Sequence, residues 1–321
     1  MKRGFTLLEL IVTIVILGIL SAGTFVSLQH LYLRSAKSKA LSDLSSESQV
    51  IVDQVSALMY DRVPSSVIGY NGSTSFQSIY ALDNNFTILE WIGVASEAQK
   101  IGAYSGFVDM NASNGATMRL STSDINQTKL TNFMTSKFAH PLGGLALVFS
   151  GAFDDGAVYD DFNTSFGWHG QAHNQIWAIQ TFNNDGNVTL LTKPNEIYEK
   201  YYLVDSAYAV ARGENINANA QCITDLNNTL NGTITDINNT LFLFYNYRPW
   251  DTIGYTFCAD AINTIPNGDL RRDGNVTILS KNVSGFEAGV IDGTIYFTIT
   301  MNKVIRGSDN NVTLTKQKAV Y

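Results

Sequence analysis

Charged residues and basic clusters are scarce in this chain of 321 residues. Asp, Glu, Lys and Arg together make up 15% of it, and the formal net charge is −7. Affinity for DNA or RNA depends mainly on basic side chains that neutralise phosphates, so the acidic balance argues against a nucleic-acid-binding protein. Asn, Ser, Thr and Gly are plentiful instead, a profile that favours an exported, β-rich domain over a cytoplasmic enzyme.

Catalytic signatures are missing as well. The chain has no Gly-x-Ser-x-Gly elbow, no glycine-rich phosphate loop and no His-Glu-x-x-His. Its four histidines, His30, His140, His169 and His173, lie in no such pattern. We therefore predict a protein that is not an enzyme and needs no cofactor.

The pair His169 and His173 invites a metal-site interpretation, because an acidic stretch lies just before it. Gly167 and Gly170 indicate a loop rather than a helix face, so the four-residue spacing does not by itself bring the two rings together. For the acidic stretch, calcium is the ion to consider, since it prefers carboxylate oxygens. The calcium candidates are Asp154, Asp155, Asp160 and Asp161. No Asp-x-Asp-x-Asp-Gly loop is present, so a solvated acidic loop without metal is the favoured interpretation.

Proline is rare, and none of the five prolines precedes Pro64. Residues 5–26 form an apolar run with a single charge, and at about 1.5 Å per residue this helix is about 33 Å long, enough to span a bilayer. Lys2 and Arg3 precede the run. By the positive-inside rule, the N-terminus lies in the cytoplasm and the chain after about residue 30 lies outside it.

Glu9 is the one charge inside the apolar run. A carboxylate in a membrane helix costs roughly 2.5–3.5 kcal/mol, so its presence indicates a function and a partner. A cleaved secretory signal, for which Ser21-Ala22-Gly23 partly supplies the small residues, is one alternative, and a plain uncleaved anchor is another. Neither alternative explains Glu9.

The contiguous segment Gly4-Phe5-Thr6-Leu7-Leu8-Glu9 resembles the class III signal of type IV prepilins and type II secretion pseudopilins. The resemblance implies that prepilin peptidase cuts between Gly4 and Phe5 and that the new N-terminus is methylated. Glu9 then becomes the fifth residue of the mature chain, where the family keeps its glutamate. In a low-dielectric helical bundle, this carboxylate can neutralise the Phe5 amine of a neighbouring subunit.

Helical periodicity continues beyond the apolar run. No proline or glycine interrupts residues 28–59, and apolar residues recur there at helical spacing. Arg62-Val63-Pro64 ends the pattern, because proline disfavours helix at the residue before it. We therefore expect a leader peptide at residues 1–4, a transmembrane helix over residues 5–26 and its exposed continuation over residues 27–62.

After Pro64 the pattern changes to short alternating or aromatic-rich runs separated by Gly, Asn and Asp, which predicts strands and turns. The predicted strands are 76–82, 86–94, 145–150, 175–182, 188–192, 198–204, 241–247, 276–280, 288–291, 294–301 and 312–320. Asp292-Gly293 is a strong hairpin signal. The fold class is therefore α+β, with a long N-terminal helix packed on antiparallel β-sheets, as in pilins. Residues 65–321 form a β-rich exported domain of one lobe or two.

The chain has two cysteines, Cys222 and Cys258, both on the exported side. An oxidising compartment favours a disulfide between them, and closing a loop of about 37 residues stabilises a domain by roughly 4 kcal/mol on the chain-entropy model. Two buried free thiols are the alternative. With no Cys or His partner nearby in sequence, the two cysteines do not make a zinc site.

The sequence Asn-x-Ser/Thr occurs 12 times, and nine copies carry an aspartate two residues before the asparagine. Acidic residues number 28 of 321, so chance would supply one at that position in about one of the 12 copies. The nine asparagines are Asn85, Asn111, Asn126, Asn163, Asn187, Asn227, Asn238, Asn275 and Asn311. The pattern resembles the extended acceptor of bacterial oligosaccharyltransferases, which implies N-glycosylation in exposed loops. Turn chemistry is the alternative, because Asp and Asn concentrate in turns.

Two looser similarities concern the type of subunit. The stretch from Val52-Asp53-Gln54 to Pro64 and the transmembrane end Leu20–Phe25 resemble J-type minor pseudopilins and W-type minor pilins, which have a helix plus two β-sheets. Glu9 argues against the K-type pseudopilins, which usually lack the glutamate. Val26 stands where many major pilins carry a proline, so we expect a less kinked helix and a minor subunit.

We therefore expect a minor pseudopilin of a type II secretion pseudopilus or of its tip complex. The alternatives are a minor pilin of a type IV pilus and a membrane-tethered carbohydrate-binding or hydrolytic β domain. The resemblance implies other pilins or pseudopilins, prepilin peptidase and the inner-membrane assembly platform as partners. The chain is expected in the inner membrane, with its C-terminal domain in the periplasm, until it joins a pseudopilus or pilus.

Overall fold

The structure is a computed structural model of the chain. It describes residues 6–72, 76–79, 85–122, 127–138, 144–150, 164–183, 185–251, 256–260, 274–305 and 311–321.

The described chain begins with one continuous helix, α1, which spans Leu7–Tyr60. Thr6 caps its first turn, and the short 3-10 turn Pro64–Ser66 follows its end. Buried positions occur only in the second half, and most of them recur every three or four residues along one face. They are Ala40, Leu44, Ser48, Ile51, Val52, Val55 and Met59. This face packs on the β-sheets.

After α1, the described residues include three shorter α-helices and fourteen strands. The helices are α2 (Ser96–Ile101), α3 (Gln127–Phe138) and α4 (Gln221–Thr229). The strands are β1 (Ile68–Tyr70), β2 (Gln77–Ser78), β3 (Ile88–Val94), β4 (Tyr104–Val108), β5 (Thr117–Thr122), β6 (Ala146–Phe149), β7 (Trp177–Phe182), β8 (Asn187–Leu190), β9 (Tyr201–Arg212), β10 (Leu241–Tyr247), β11 (Asn275–Ser280), β12 (Val283–Ile291), β13 (Thr294–Val304) and β14 (Asn311–Val320).

Eleven of these strands form one sheet in the order β2-β1-β3-β9-β6-β7-β8-β5-β4, with β10 and β11 attached beside β9. The long strand β9 is its centre. Strand β3 pairs along one edge of β9, while β6 and β10 share the other edge, at residues 201–204 and 207–212 respectively. All these pairings are antiparallel.

Strands β12, β13 and β14 form a separate antiparallel sheet, and α1 packs along β13 and β14. Asp292 and Gly293 connect β12 to β13, with Ile291 paired to Thr294. Both turn residues have positive φ, 49° and 75°, as a type I′ turn requires. The hairpin predicted from this dipeptide is therefore confirmed.

The large sheet carries an apolar core on each face. On β3, Leu89 and Trp91 belong to the core under α1 and the small sheet, whereas Ile88 and Ile92 belong to the core of the opposite face. Because successive strand residues alternate between faces, Glu90 lies on the second face, between the two isoleucines. A third core lies around α2, α3 and β4–β8. The predicted α+β architecture, a long helix followed by antiparallel sheets, is the one observed.

Candidate functional site

Residues 7–32 of α1, the exposed half of this helix, pack against nothing else in the described chain. Its apolar side chains are exposed, from 49% at Val12 to 78% at Leu7, and the helix is long and apolar enough to cross a membrane. A continuous apolar surface of this size is unfavourable in water, so lipid or other apolar helices must cover it.

Glu9 lies in the first turn of this surface, where it forms a reciprocal cap with Thr6. The backbone N–H of Thr6 donates to Glu9 Oε2 at 3.1 Å, and the Thr6 hydroxyl donates to the same oxygen at 3.0 Å. In return the backbone N–H of Glu9 donates to Thr6 Oγ1 at 3.3 Å. This capping box satisfies two donors at the helix start and gives the carboxylate partners within its own chain. Gly4 and Phe5, the predicted cleavage site, lie outside the described residues.

The second half of α1 is fixed to the sheets by polar contacts as well as by its apolar face. Lys303 Nζ in β13 donates to Asp43 Oδ2 at 2.8 Å, and the Ser280 hydroxyl in β11 donates to Glu47 Oε1 at 2.6 Å. The hydrogen bond from Lys303 holds the pKa of the Asp43 carboxyl below its usual range. The exposed half of the helix therefore projects from a fixed base.

The two cysteines form the predicted disulfide. Cys222 lies in the first turn of α4, and Cys258 lies in the segment 256–260, which covers the second face of the large sheet. The bond therefore ties this segment to α4.

Seven of the nine acceptor asparagines lie in the described part of the chain, and Asn126 and Asn163 lie outside it. The exposed ones are Asn85, Asn111, Asn238, Asn275 and Asn311, and the half-buried ones are Asn187 and Asn227. Their exposure is compatible with modification, which remains a prediction.

The turn alternative accounts for two of the preceding aspartates. Asp109 Oδ1 accepts the backbone N–H of Asn111 at 3.1 Å, and Asp185 Oδ1 accepts that of Asn187 at 3.0 Å. Both are Asx turns, so local turn chemistry is enough to explain an aspartate two residues before the asparagine at these two sites.

A buried polar cluster, which sequence reasoning did not predict, surrounds His169. His169 Nε2 lies 3.1 Å from Glu90 Oε1, and Nδ1 lies 4.0 Å from Asp260 Oδ2. The Tyr247 hydroxyl donates to Glu90 Oε2 at 2.5 Å, and the Tyr70 ring packs edge-on against the imidazole at 4.6 Å. These side chains come from β1, β3, β10, the loop before β7 and the segment 256–260, so only the tertiary fold brings them together.

The backbone around His169 adopts left-handed conformations that place the imidazole in the cluster. His169 has φ of +51°, a left-handed conformation that costs a residue other than glycine on the order of 1–3 kcal/mol. Gly167 has φ of +80°, and a Cβ there would lie 2.4 Å from the carbonyl oxygen of Pro249. Gly167 and Gly170, which indicate a loop in the sequence, therefore let the chain turn tightly enough to place the imidazole under the sheet.

The cluster is strongly coupled by charge. Burial lowers the pKa of His169, but the hydrogen bond and charge of Glu90, together with the charge of Asp260, outweigh it and hold the pKa above its usual value. Burial and the neighbouring Glu90 charge raise the pKa of Tyr247 well above its usual range. The phenol therefore stays protonated and acts as a donor.

Of the two metal sites considered from the sequence, the structure tests the histidine pair but not the acidic stretch. His173 is partly exposed and is not in the cluster, so the structure separates the predicted histidine pair. Asp154, Asp155, Asp160 and Asp161 lie outside the described residues. One signal could have pointed to Glu90: it is a carboxylate inside the apolar run Ile88-Leu89-Glu90-Trp91-Ile92, where both sheet faces are buried.

Residues 1–25 match the family model of the prokaryotic N-terminal methylation motif. The chain therefore carries the signal of type IV pilins and pseudopilins, which prepilin peptidase processes, on an apolar helix followed by antiparallel sheets. No curated protein and no solved structure matches the chain.

Proposed function

We propose that this protein is a minor pseudopilin, a structural subunit of a type II secretion pseudopilus or of its tip complex. The observation that carries the proposal is the division of α1, which exposes an apolar surface in its first half and packs on the β-sheets in its second. A helix of this kind can join a bundle of like helices while its folded domain stays outside the bundle. The role is mechanical rather than catalytic.

Glu9 contributes an electrostatic attraction between subunits to this assembly. Before assembly, the carboxylate is held by Thr6 at the start of its own helix. After cleavage, the Phe5 amine of a neighbouring subunit offers a cation at the same depth, and in a low-dielectric bundle the two charges attract strongly. Entry into the filament then exchanges the Thr6 cap for an ion pair between subunits.

Two features support a minor subunit over a major one. Helix α1 runs without interruption from Leu7 to Tyr60, which agrees with the lack of proline before Pro64. The exported part contains two separate sheets, as in the J-type pseudopilins and W-type pilins that the sequence loosely resembles.

The test is the secreted proteome of a strain that lacks this chain, complemented with wild type, Glu9→Leu or Thr13→Val. Thr13 lies one turn after Glu9 on the same exposed surface and donates to the Glu9 carbonyl, so it is a matched control for lost polarity. We expect the deletion to retain folded exoproteins in the periplasm, and wild type and Thr13→Val to restore their release. Glu9→Leu should be cleaved normally and fail to restore release.

An unchanged secretome in the deletion strain would overturn the assignment to type II secretion and favour a minor pilin, which a count of surface filaments then tests. If filaments are also unchanged, or if Glu9→Leu complements fully, the assembly role is wrong. Activity of a fragment from residue 65 onward, with no need for Glu9, would support a tethered binding or hydrolytic domain instead.

We also propose N-glycosylation at exposed copies of Asp-x-Asn-x-Ser/Thr. The chain supplies its own control, since Asn71, Asn231 and Asn282 are exposed and lie in Asn-x-Ser/Thr without the preceding aspartate. Glycopeptide mass spectrometry of protein from the native host should find glycans at exposed sites such as Asn111, Asn238 and Asn275. Equal occupancy at the three controls, or no glycan at any site, would overturn the acceptor interpretation.

A further inference from the structure

The cluster of Glu90, His169 and Asp260 has the donor set and the enclosure of a metal site. Each residue offers one ligand atom, and these atoms lie within 4.8 Å of one another. The side chains of Glu90 and Asp260 are 1% and 0% exposed, and that of His169 is 3% exposed. Buried carboxylates are stable only when they are paired, hydrogen-bonded or bound to a metal.

The imidazole is oriented toward this use. Nε2 donates to Glu90 at 3.1 Å, so in the neutral ring the lone pair remains on Nδ1. Nδ1 is buried, has no hydrogen-bond partner among the described residues, and faces Asp260 Oδ2 at 4.0 Å. That separation is too long for a hydrogen bond, but two ligand atoms at about 2.0–2.2 Å from one ion lie roughly 3–4 Å apart.

Glu90 completes the arrangement. A carboxylate that accepts the second N–H of a metal-binding histidine fixes the tautomer and ring orientation. Tyr247 in turn donates to the other oxygen of Glu90, which holds the carboxylate in place. The strained left-handed backbone of His169 also fits a residue whose position is required by its side chain.

We propose that His169 and Asp260 bind a divalent transition-metal ion in a structural site, that Glu90 orients the imidazole for it, and that zinc is the ion these donors fit best. The imidazole nitrogen argues against calcium and magnesium, which take oxygen ligands. A divalent cation also balances the two carboxylates while the imidazole is neutral. Since the site is closed to solvent, its role is to join β3, the loop before β7 and the disulfide-tethered segment 256–260.

The experiment uses the full chain in detergent, stripped with a chelator, incubated with zinc chloride and desalted. Metal analysis should give about one zinc ion per chain, and the thermal unfolding midpoint should rise with zinc but not with the same concentration of calcium. His169→Gln should retain at least about tenfold less zinc and lose the zinc-dependent rise. His173→Gln, four residues away in the same loop, is the matched control and should behave as wild type.

Glu90→Gln and Asp260→Asn keep side-chain size, so they test the site even if His169→Gln folds poorly. Replacement of zinc by cobalt gives a second readout, a visible absorption spectrum that a protein ligand set produces and free cobalt does not. Wild type without stoichiometric zinc would overturn the proposal. So would equal zinc retention in His169→Gln, Glu90→Gln and Asp260→Asn, or equal loss in His173→Gln.

Discussion

Two glutamates stand among apolar residues in this molecule, and the fold holds them in opposite ways. Glu9 lies on the exposed half of α1, and its hydrogen bonds come from Thr6, three residues away. Glu90 is fully buried in β3, and its hydrogen bonds come from His169 and Tyr247, 79 and 157 residues away. A local partner leaves Glu9 free to exchange it for a group of another chain. The distant partners of Glu90 bind it into this chain.

The comparison indicates that a carboxylate in apolar surroundings can serve either assembly or stability. The distance along the sequence to its hydrogen-bond partners distinguishes the two. Removing Glu9 leaves no buried group without a partner inside the chain. Removing Glu90 leaves a buried imidazole and a buried phenol that lose their acceptor. The two glutamates should therefore respond oppositely in assays of assembly and of unfolding.

The largest effect on stability is expected from Glu90→Ala. The free energy of unfolding should fall by about 3–5 kcal/mol, because the change breaks a buried hydrogen-bonded pair and opens a cavity. Glu9→Ala should leave it unchanged within about 0.5 kcal/mol. Denaturant unfolding of the full chain in detergent, followed by tryptophan fluorescence, measures both.

Glu199→Ala is the control for loss of a glutamate, since Glu199 is exposed in the β domain. If Glu90→Ala costs no more than this control, the cluster around His169 does not stabilise the fold. If Glu9→Ala costs as much as Glu90→Ala, the contrast between the two glutamates is wrong.

A smaller effect is expected from replacing Cys222 and Cys258 together by serine. Loss of the disulfide should lower the free energy of unfolding by about 2–4 kcal/mol. The bond also tethers the segment 256–260, which brings Asp260 to His169, so the double-serine variant should couple to Glu90→Ala by about 0.5–3 kcal/mol in a double-mutant cycle. The same cycle with Glu9→Ala should show no coupling. Equal coupling in both cycles would contradict a specific link between the disulfide and the buried cluster.

Local signals predicted a large share of the fold. The period of α1, its end near Pro64 and the Asp292-Gly293 hairpin are set by neighbouring residues, and each is confirmed. The predicted strand 198–204 ends too early, because Asp205 and Ser206 interrupt the apolar pattern on which the prediction depends. In the structure β9 begins at Tyr201 and continues to Arg212, since its pairing to β3 and β10 continues past these two residues. Strand β5 and helix α4 were not predicted, since their polar composition hides a stability that comes from packing on the sheet.

The candidate sites differ in the same way, because a site built from neighbouring residues is recognisable in the sequence and one built from distant residues is not. Glu9 is recognisable because its context, the segment Gly4–Glu9, is contiguous. The partners of Glu90 come from four distant segments, and no pattern within one segment could relate them. His169 was considered as a metal ligand together with His173 on spacing alone, and this pairing is wrong, because His173 is not in the cluster. A carboxylate in a doubly buried strand was the usable signal, and it identifies the residue without its partners.

The smallest effect is expected from Thr6→Val, which tests whether the cap and the assembly role of Glu9 are separable. Loss of the N-cap should weaken the first turn of α1 by about 1 kcal/mol, seen as faster amide hydrogen exchange there in detergent. Ser27→Ala, which removes a hydroxyl that donates to the Gly23 carbonyl on the same exposed half, is the control and should leave that exchange unchanged. Assembly should persist in Thr6→Val if, as we propose, the partner of Glu9 in the filament is the amine of a neighbour. If Thr6→Val abolishes assembly as fully as Glu9→Leu, then Glu9 acts by capping its own helix, and the ion pair between subunits is not needed to explain it.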